Sequence, residues 1–292
     1  MQLMELPDPL VGPDVVVIDI KAAGVNPVDW KLRSGGLAER FKHHFPVGIG
    51  WDAAGVVEAV GPAVRDFKPG DEVFAYCRKP AVEDGTYAEK IGVPRTQVAL
   101  KPESASFVEA GAIPLAALTA WECLTEALEL QAGESILVTA GAGGVGHFAV
   151  QLARALGAEV FATASPAKHD FVRELGATEV VDYSAGSVAD AVGEVDTVFD
   201  TVGGEAQADV LAALRDGGRV VSIVDPSVRE RPGGFYVFVR PDAASLRELA
   251  RRFDAGEFRV EIAETFPLER AADAHRLIEE GHVRGKVVIE VG

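Results

Sequence analysis

Apolar and polar positions alternate over short stretches in the first third of the chain, as expected for β-strands with one buried face. These stretches are separated by clusters of Gly and Pro, which mark turns. The pattern predicts strands at residues 15–21, 53–60, 72–75 and 86–93. We therefore expect residues 1 to about 110 to form a compact β-rich domain.

The pattern changes near residue 135, where apolar runs of strand length alternate with longer stretches that have helical spacing. Strands are predicted at residues 136–139, 159–163, 180–181, 197–200, 219–224 and 235–239. Helices are predicted at residues 145–156, 168–175 and 206–214, and then at 242–254 and 268–280 before a last strand at 286–291. This alternation predicts an α/β fold with a mostly parallel, doubly wound sheet and helices on both faces.

Length and composition narrow the function classes. A chain of 292 residues, 48% hydrophobic, is long enough for two domains. The 45 acidic and 28 basic residues give a formal charge of −17, which disfavours nucleic acid and anionic membranes as partners. Two distant cysteines provide no disulfide framework, and neither a signal peptide nor a membrane-spanning run is evident, so we expect a cytoplasmic protein.

The most informative segment is SILVTAGAGGVG, residues 135–146. Gly141, Gly143 and Gly146 fill the G-x-G-x-x-G spacing where a predicted strand ends and a helix begins, with Gly144 and Val145 between them. The glycines permit a tight turn, close approach of a pyrophosphate, and close packing of helix on strand. We therefore predict dinucleotide binding at the start of this helix, with a flexible turn as the alternative.

The second predicted strand indicates which dinucleotide binds. NAD enzymes usually carry Asp or Glu at its end to bind the ribose 2′-hydroxyl, but here the strand leads into ASPAK, residues 164–168. Ser165 and Lys168 could bind a 2′-phosphate instead, by a hydrogen bond and by charge. This favours NADP as the cofactor, and the alternative is that Lys168 is a solvated lysine at a helix start.

Several further stretches, in order along nearly the whole chain, resemble the medium-chain dehydrogenase/reductase superfamily, and within it the zinc-free quinone oxidoreductase (zeta-crystallin-like) branch. They are AAGVNPVDW at 22–30, GWDAAGVV at 50–57, KPGDEV at 68–73, DGTYAE at 84–89, PLAALTAW at 114–121 and RGKVV at 284–288.

The resemblance implies a GroES-like catalytic domain made of residues 1–110 and 241–292, with a Rossmann domain, residues 111–240, inserted between them and the active site in the cleft. It also implies that Asn26 lies near the nicotinamide as the catalytic residue. The implied cofactor contacts, besides the glycine motif, are Thr119, Ser165, Lys168 and Tyr183, with the last three around the 2′-phosphate, and Thr201, Val224 and Phe238 along the nicotinamide half. Residues 235–239 are implied to pair across a homodimer interface.

The sequence departs from the zinc-dependent relatives. Their catalytic zinc is held by Cys and His, whereas the matching stretches here are Asn26-Pro27-Val28-Asp29 and Trp51-Asp52, so no metal is expected. Residues 33–37 also lack the Tyr that many quinone reductases carry after Asn-Pro-x-Asp. For Asn26 and Asp29 the alternative remains open that they are simply turn formers beside a proline.

We therefore expect an NADPH-dependent oxidoreductase that transfers hydride to a quinone or an α,β-unsaturated carbonyl without zinc. Its partner would be a small-molecule electrophile. Two alternatives remain: an enoyl reductase acting on a thioester, and a non-catalytic NADPH-binding redox sensor.

Overall fold

The computed structural model describes all 292 residues, which form two compact units. The first unit contains Met1–Leu118, Arg240–Gly256 and Val260–Gly292. The second contains Thr119–Val239 and Glu257–Arg259. No helix in either unit is both long enough and apolar enough to cross a lipid bilayer.

The strands are β1 (Val15–Val25), β2 (Lys42–His43), β3 (Asp52–Val60), β4 (Glu72–Tyr76), β5 (Ala81–Val82), β6 (Lys90–Pro94), β7 (Val98–Leu100), β8 (Ser135–Val138), β9 (Glu159–Thr163), β10 (Glu179–Val181), β11 (Val195–Asp200), β12 (Leu214–Ser222), β13 (Gly234–Tyr236), β14 (Ile262–Pro267) and β15 (Lys286–Glu290). The α-helices are α1 (Pro27–Arg33), α2 (Phe107–Ala112), α3 (Pro114–Glu122), α4 (Gly146–Ala155), α5 (His169–Glu174), α6 (Val188–Val192), α7 (Ala206–Ala212), α8 (Ala243–Asp254) and α9 (Ala271–Glu280).

The first unit is built on a seven-stranded sheet in the order β14-β15-β1-β3-β4-β7, with β6 also paired to β1. The long strand β1 runs antiparallel to β15, β3 and β6, and only β14 and β15 are parallel. Alternate side chains of these strands, such as Ile18, Ile20 and Ile91, point into one apolar core. Burial of this shared face fixes the register of the strands.

The second unit contains a six-stranded sheet in the order β10-β9-β8-β11-β12-β13, in which every pair is parallel. This is the 3-2-1-4-5-6 order of a doubly wound sheet, with helices in the connections. Its two central strands, β8 and β11, are mostly buried, as expected for parallel strands covered on both faces, whereas the outer strands expose several residues. The predicted α/β class with a parallel sheet is therefore confirmed.

Several element boundaries differ from the predictions for local physical reasons. The strand predicted at 86–93 begins only at Lys90, because the backbone N–H groups of Thr86 and Tyr87 donate to Gly50 and Ile49 in a neighbouring loop. The helix predicted at 268–280 begins at Ala271, after a 3-10 turn over Leu268–Arg270.

Short elements were missed because their local pattern is weak. The sequence predicts no helix at α1, because its start at Asn26-Pro27 is also typical of a turn. Strand β14 carries exposed polar residues at the sheet edge, so it lacks a clear alternation. The predicted strand at 235–239 spans Gly234–Tyr236.

Candidate functional site

The carboxyl ends of the parallel strands in the second unit carry nearly all of the predicted cofactor residues. Such ends lie along one edge of the sheet, where doubly wound folds bind their ligands. In the order of the sheet, β10 is followed by Tyr183, β9 by Ser165 and Lys168, β8 by Gly141, Gly143, Gly144, Val145 and Gly146, β11 by Thr201, β12 by Val224, and β13 by Phe238. The predicted residues are therefore brought to one edge.

Their order along this edge is also the order of the parts of a dinucleotide. Residues predicted to contact the 2′-phosphate follow β9 and β10, the glycine motif follows β8, and the residues predicted to lie along the nicotinamide half follow β11, β12 and β13. Adjacent strands are about 4.8 Å apart, so the edge from β10 to β13 is roughly 24 Å long. An extended dinucleotide fits along it.

The glycine turn has the close packing expected of a pyrophosphate cradle. A Cβ at Gly146 would lie 2.1 Å from the carbonyl oxygen of Ala140, and one at Gly141 would lie 2.9 Å from the Cβ of Ala162. At Gly143 the nearest atom would be the Ala140 oxygen at 3.2 Å, a tight contact that a small local shift can relieve. No side chain caps the start of α4, so the helix dipole can face a phosphate, although the N–H groups of Gly143 and His147 already donate to Ala140 and Gly143.

The loop after β9 holds the two residues predicted to choose the cofactor. Ser165 and Lys168 are half-buried. Ser165 precedes a 3-10 turn over Pro166–Lys168, and Lys168 is the last residue of that turn. A ring nitrogen of His169 makes a hydrogen bond of 3.1 Å with the carbonyl oxygen of Ala164, which fixes the loop. The strand ends in Thr163, so no carboxylate stands there to bind a ribose 2′-hydroxyl.

Asp200, at the end of β11, organises the loops on the nicotinamide side of this edge. Its carboxylate is buried and accepts hydrogen bonds from the N–H groups of Val202 (3.0 Å) and Gly203 (2.9 Å). It also accepts from the Ser222 hydroxyl at 2.9 Å and from the Gln207 amide at 2.8 Å. Asp200 therefore ties the loop after β11 to the end of β12, a role that the sequence analysis missed because the partners are distant in sequence.

Thr119 is the one predicted cofactor residue of this unit that does not follow a strand. It lies on α3 and is 4% exposed. Its role in cofactor binding stays a prediction.

Four polar residues of the first unit meet at one end of its sheet: Asn26, Asp29, Asp52 and Lys286. Asn26 follows β1, whereas Asp52 and Lys286 are the first residues of β3 and β15. Because both strands run antiparallel to β1, their starting residues lie beside its carboxyl end. All four residues are at most 2% exposed.

The Asn26 side chain lies between two opposite charges. Its Nδ2 donates to Oδ2 of Asp52 at 2.8 Å, and its Oδ1 accepts a hydrogen bond from the Lys286 ammonium. Lys286 also donates to the carbonyl oxygen of Val25 at 3.2 Å, and its Nζ lies 3.9 Å from Oδ2 of Asp52. Oδ1 of Asp52 accepts from the backbone N–H of Leu115 at 2.7 Å.

Asp29 links this group to two further side chains. Its Oδ2 accepts from the backbone N–H of Asn26 at 2.8 Å and from the Tyr87 hydroxyl at 2.9 Å, while its buried Oδ1 has no partner. The Tyr87 oxygen lies 3.4 Å from Nε2 of His275. Asp29 therefore caps the start of α1 and also belongs to a buried polar network.

Burial dominates the electrostatics of this network. It raises the pKa of Asp29 to about 7, against hydrogen bonds from Asn26 and Tyr87 that lower it. It raises the pKa of Asp52 to about 6, where the Lys286 charge is the main opposing effect. Burial also lowers the pKa of Lys286 from its ordinary value, against the attraction of both carboxylates.

The residues present at the positions that match zinc ligands in related dehydrogenases do not fit a zinc ion. The Asn26 amide is held by Asp52 and by a lysine ammonium, whose positive charge repels a divalent cation. Trp51 has no metal-binding atom and packs edge-on against Phe41 and Tyr76, with ring centroids 5.5 and 6.2 Å away. No group of three or more His, Cys, Asp or Glu side chains is placed to bind a metal.

A cavity of about 610 Å³ elsewhere in the first unit contains none of the predicted site residues. Its lysines are already paired: Lys21 with Asp19 at 2.9 Å, and Lys90 with Glu58 at 3.0 Å. Asp8 and Glu89 also line the cavity, so its carboxylates outnumber its two lysines.

The sequence analysis singled out Asn26 and Asp29 of this network but assigned no role to Lys286, Asp52 or Tyr87. Lys286 was visible only as part of RGKVV at a strand start, and nothing local indicates that it is buried. The signal that could have found it is the antiparallel pairing of β1 with β15, which depends on long-range register.

Comparison with known proteins agrees with both units. A family model described as "Alcohol dehydrogenase GroES-like domain" matches residues 12–103, and one described as "Zinc-binding dehydrogenase" matches residues 175–289. The chain is 38% identical to an NADPH-dependent alkenal/one oxidoreductase from Arabidopsis thaliana, over 96% of this chain and 73% of that protein. It is 36% identical to a 2-methylene-furan-3-one reductase from Solanum lycopersicum, over the same shares.

The solved structures give the same result. A quinone oxidoreductase from Coxiella burnetii superposes with a TM-score of 0.91 at 32% identity, covering 100% of this chain and 95% of that one. The predicted GroES-like and Rossmann-type folds are thus confirmed. The chain belongs to the medium-chain dehydrogenase/reductase superfamily, in its quinone oxidoreductase branch.

Proposed function

We propose that this protein is an NADPH-dependent oxidoreductase that transfers hydride to the conjugated carbonyl of an enone or to a quinone. The observation that carries the proposal is the alignment, along one edge of the parallel sheet, of the residues predicted to bind phosphate and those predicted to lie on the nicotinamide side. The names of the relatives support it, since they include an NADPH-dependent alkenal/one oxidoreductase, a furanone reductase and a quinone oxidoreductase. These relatives do not favour the thioester reductase or the non-catalytic sensor.

The cofactor half of the site is formed by the second unit. The N–H groups at the start of α4, with Gly143, Gly144 and Val145, bind the pyrophosphate. Ser165 donates a hydrogen bond to the 2′-phosphate and Lys168 neutralises its charge, with Tyr183 beside them. Thr201, Val224 and Phe238 contact the nicotinamide half, and Thr119 also contacts the cofactor.

The chemical step needs charge stabilisation on the acceptor. When bound, NADPH supplies hydride from C4 of its nicotinamide to the β-carbon of the acceptor. Electrons of the conjugated double bond move onto the carbonyl oxygen, and Asn26 donates a hydrogen bond to that oxygen as it becomes an enolate. Water then supplies a proton to the α-carbon, which completes the saturated ketone.

Rapid mixing tests this activity. With NADPH bound, α,β-unsaturated carbonyls such as 4-hydroxynonenal and flat quinones should cause a decay of NADPH absorbance. Acyl thioesters with the same double bond should react much more slowly. No decay across the whole panel would refute the proposal, and fast reaction with the thioesters alone would reassign the substrate.

The cofactor preference has its own test. Replacing Lys168 by Ala should weaken NADPH binding by about tenfold or more, the value of one charge-assisted contact, while NADH binding is unchanged. The matched control is Arg173→Ala, which removes a cation of the same helix that is paired with Asp170 at 3.1 Å. Equal loss for both cofactors would contradict the assignment of Lys168.

We further propose a homodimer. Strand β13 lies at the edge of the parallel sheet, and Phe235 on it is 39% exposed, which leaves the strand open to pairing with a second copy.

We also propose a reducing, cytoplasmic location. Both cysteines are buried and unpaired, as is usual in a reducing compartment. Cell fractionation tests the location.

A further inference from the structure

The buried lysine at the start of β15 has no role in the function described so far. Lys286 is 2% exposed, and its Nζ faces three oxygen atoms: the carbonyl of Val25, Oδ1 of Asn26 and Oδ2 of Asp52. Nζ donates hydrogen bonds to the first two oxygens and lies within ion-pair distance of the third, 3.9 Å away. The neighbouring Asp52 carboxylate favours the charged ammonium, although burial of a charge is costly.

The charges of Lys286 and Asp52 decide which way the Asn26 amide faces. In the observed orientation the amide oxygen meets the ammonium and one amide hydrogen meets the carboxylate. A flipped amide would place oxygen against carboxylate and NH₂ against ammonium, so both contacts would become repulsive. One hydrogen on Nδ2 has no part in these contacts.

We propose that Lys286 is a positioning residue: with Asp52 it locks the Asn26 amide in one orientation, so that the remaining N–H of Asn26 is the donor to the acceptor's carbonyl oxygen. This rests on the proposed function, in which Asn26 stabilises the developing enolate. Lys286 touches neither the acceptor nor the reacting atoms in this account and acts through Asn26. The positive charge next to the Asn26 amide is carried by the Lys286 side chain.

A double-mutant cycle tests the coupling. Asn26→Ala should lower kcat about a hundredfold, as expected for the loss of one donor to an oxyanion. Lys286→Met, which keeps most of the aliphatic stem, should lower kcat at least tenfold with the Kd for NADPH unchanged. In the double variant the loss should equal that of Asn26→Ala alone, because Lys286 has no route to the reaction once the amide is gone.

A control separates positioning from general stabilisation. Lys101→Met removes another largely buried ammonium, which is paired with Glu72 at 3.2 Å and donates to the carbonyl oxygen of Pro102 at 3.0 Å. This variant should lose stability but keep kcat. If the losses of Lys286→Met and Asn26→Ala multiply in the double variant, or if Lys101→Met lowers kcat as much, the proposal is wrong.

Nuclear magnetic resonance provides a readout that needs no turnover. In the wild-type protein the two side-chain amide hydrogens of Asn26 should give well-separated signals, with the hydrogen bonded to Asp52 downfield. Lys286→Met should reduce this separation to that of a solvent-exposed Asn amide, and Lys101→Met should leave it. If Lys286→Met does not fold, the wild-type spectrum and that of Asp52→Asn still decide, since a wild-type separation no larger than that of a solvent-exposed Asn amide would overturn the proposal. A wild type that oxidises no NADPH would refute the function, while these spectra would still test the role of Lys286.

Discussion

Asp29 shows how one buried carboxyl combines a local and a long-range constraint. Its Oδ2 holds the start of α1 through Asn26 and anchors Tyr87, while its Oδ1 is buried without a partner. Such an atom is expensive to bury as part of a carboxylate and much less so as part of a neutral carboxyl. The cost of burying the charged form is the reason why the pKa of Asp29 is raised to about 7.

This pKa makes the stability of the protein depend on pH. Between pH 3.8 and about 7 the folded state holds a proton on Asp29 that the unfolded state has lost, so stability from this group falls as pH rises, by up to roughly 1.4 kcal/mol per pH unit. Asp29→Asn keeps acceptors for Asn26 and Tyr87 and cannot titrate. We expect the variant to gain stability relative to the wild type between pH 5 and pH 8.

Melting temperatures of both proteins at several pH values check this. The neighbouring groups Asp52, Lys286, Tyr87 and His275 are present in both, including His275, whose pKa burial lowers to about 4. The difference between the two proteins therefore isolates Asp29. A difference that stays constant with pH would contradict the raised pKa.

At the scale of elements, local sequence was sufficient where one segment carries the whole signal. The strand β8, the glycine turn and the helix α4 were predicted to within one or two residues, because an apolar run, three spaced glycines and an amphipathic helix follow one another directly. The network of Asn26, Asp29, Asp52 and Lys286 could not be predicted in this way. It exists because three strands that are far apart in sequence pair in one register, and no local pattern records that register.

The difference in packing among the glycines of this turn gives a second prediction. Gly143→Ala places a methyl group 3.2 Å from the nearest atom, the Ala140 oxygen, and a shift of a few tenths of an ångström should accommodate it, so the loss of stability should be small. The methyl group would occupy the approach of the pyrophosphate, and NADPH binding should weaken by about tenfold or more. Calorimetry and melting curves measure the two effects separately.

Two other glycines serve as references. Gly146→Ala would bring a Cβ within 2.1 Å of the Ala140 oxygen, and it should destabilise the fold as well as binding. Gly36→Ala, in a turn of the first unit with its closest atom at 3.4 Å, should change neither property beyond the ordinary gain in chain stiffness. A Gly143→Ala protein with wild-type affinity would remove the pyrophosphate from this turn.

At the scale of the whole molecule, the proposed cofactor recognition and the proposed charge stabilisation fall on two different units. The predicted cofactor residues belong to the parallel-sheet unit, and the Asn26–Lys286 network belongs to the β-rich unit. Binding of NADPH and turnover should therefore respond separately to substitution. Variants of the glycine turn should change Kd, and variants of the network should change kcat.

The assembly of the molecule is a third prediction. Phe235→Asp puts a charge on the edge strand β13 and should convert the proposed homodimer to a monomer in light scattering. Phe45→Asp is the matched control, since Phe45 is another exposed phenylalanine, at 86%, and belongs to the first unit. Wild-type protein that is already monomeric, or an unchanged mass for Phe235→Asp, would contradict dimerisation through this strand.

The central claim is that hydride moves from NADPH to the β-carbon of a conjugated carbonyl without a metal. NADPH deuterated at C4 on the transferred face, mixed with enzyme and an enone in excess chelator, tests it in one product analysis. We expect mass spectrometry to find a saturated ketone labelled at its β-carbon. The labelled cofactor should form this product at the same rate with and without chelator. An allylic alcohol labelled at the former carbonyl carbon, or a reaction that the chelator abolishes, would contradict it.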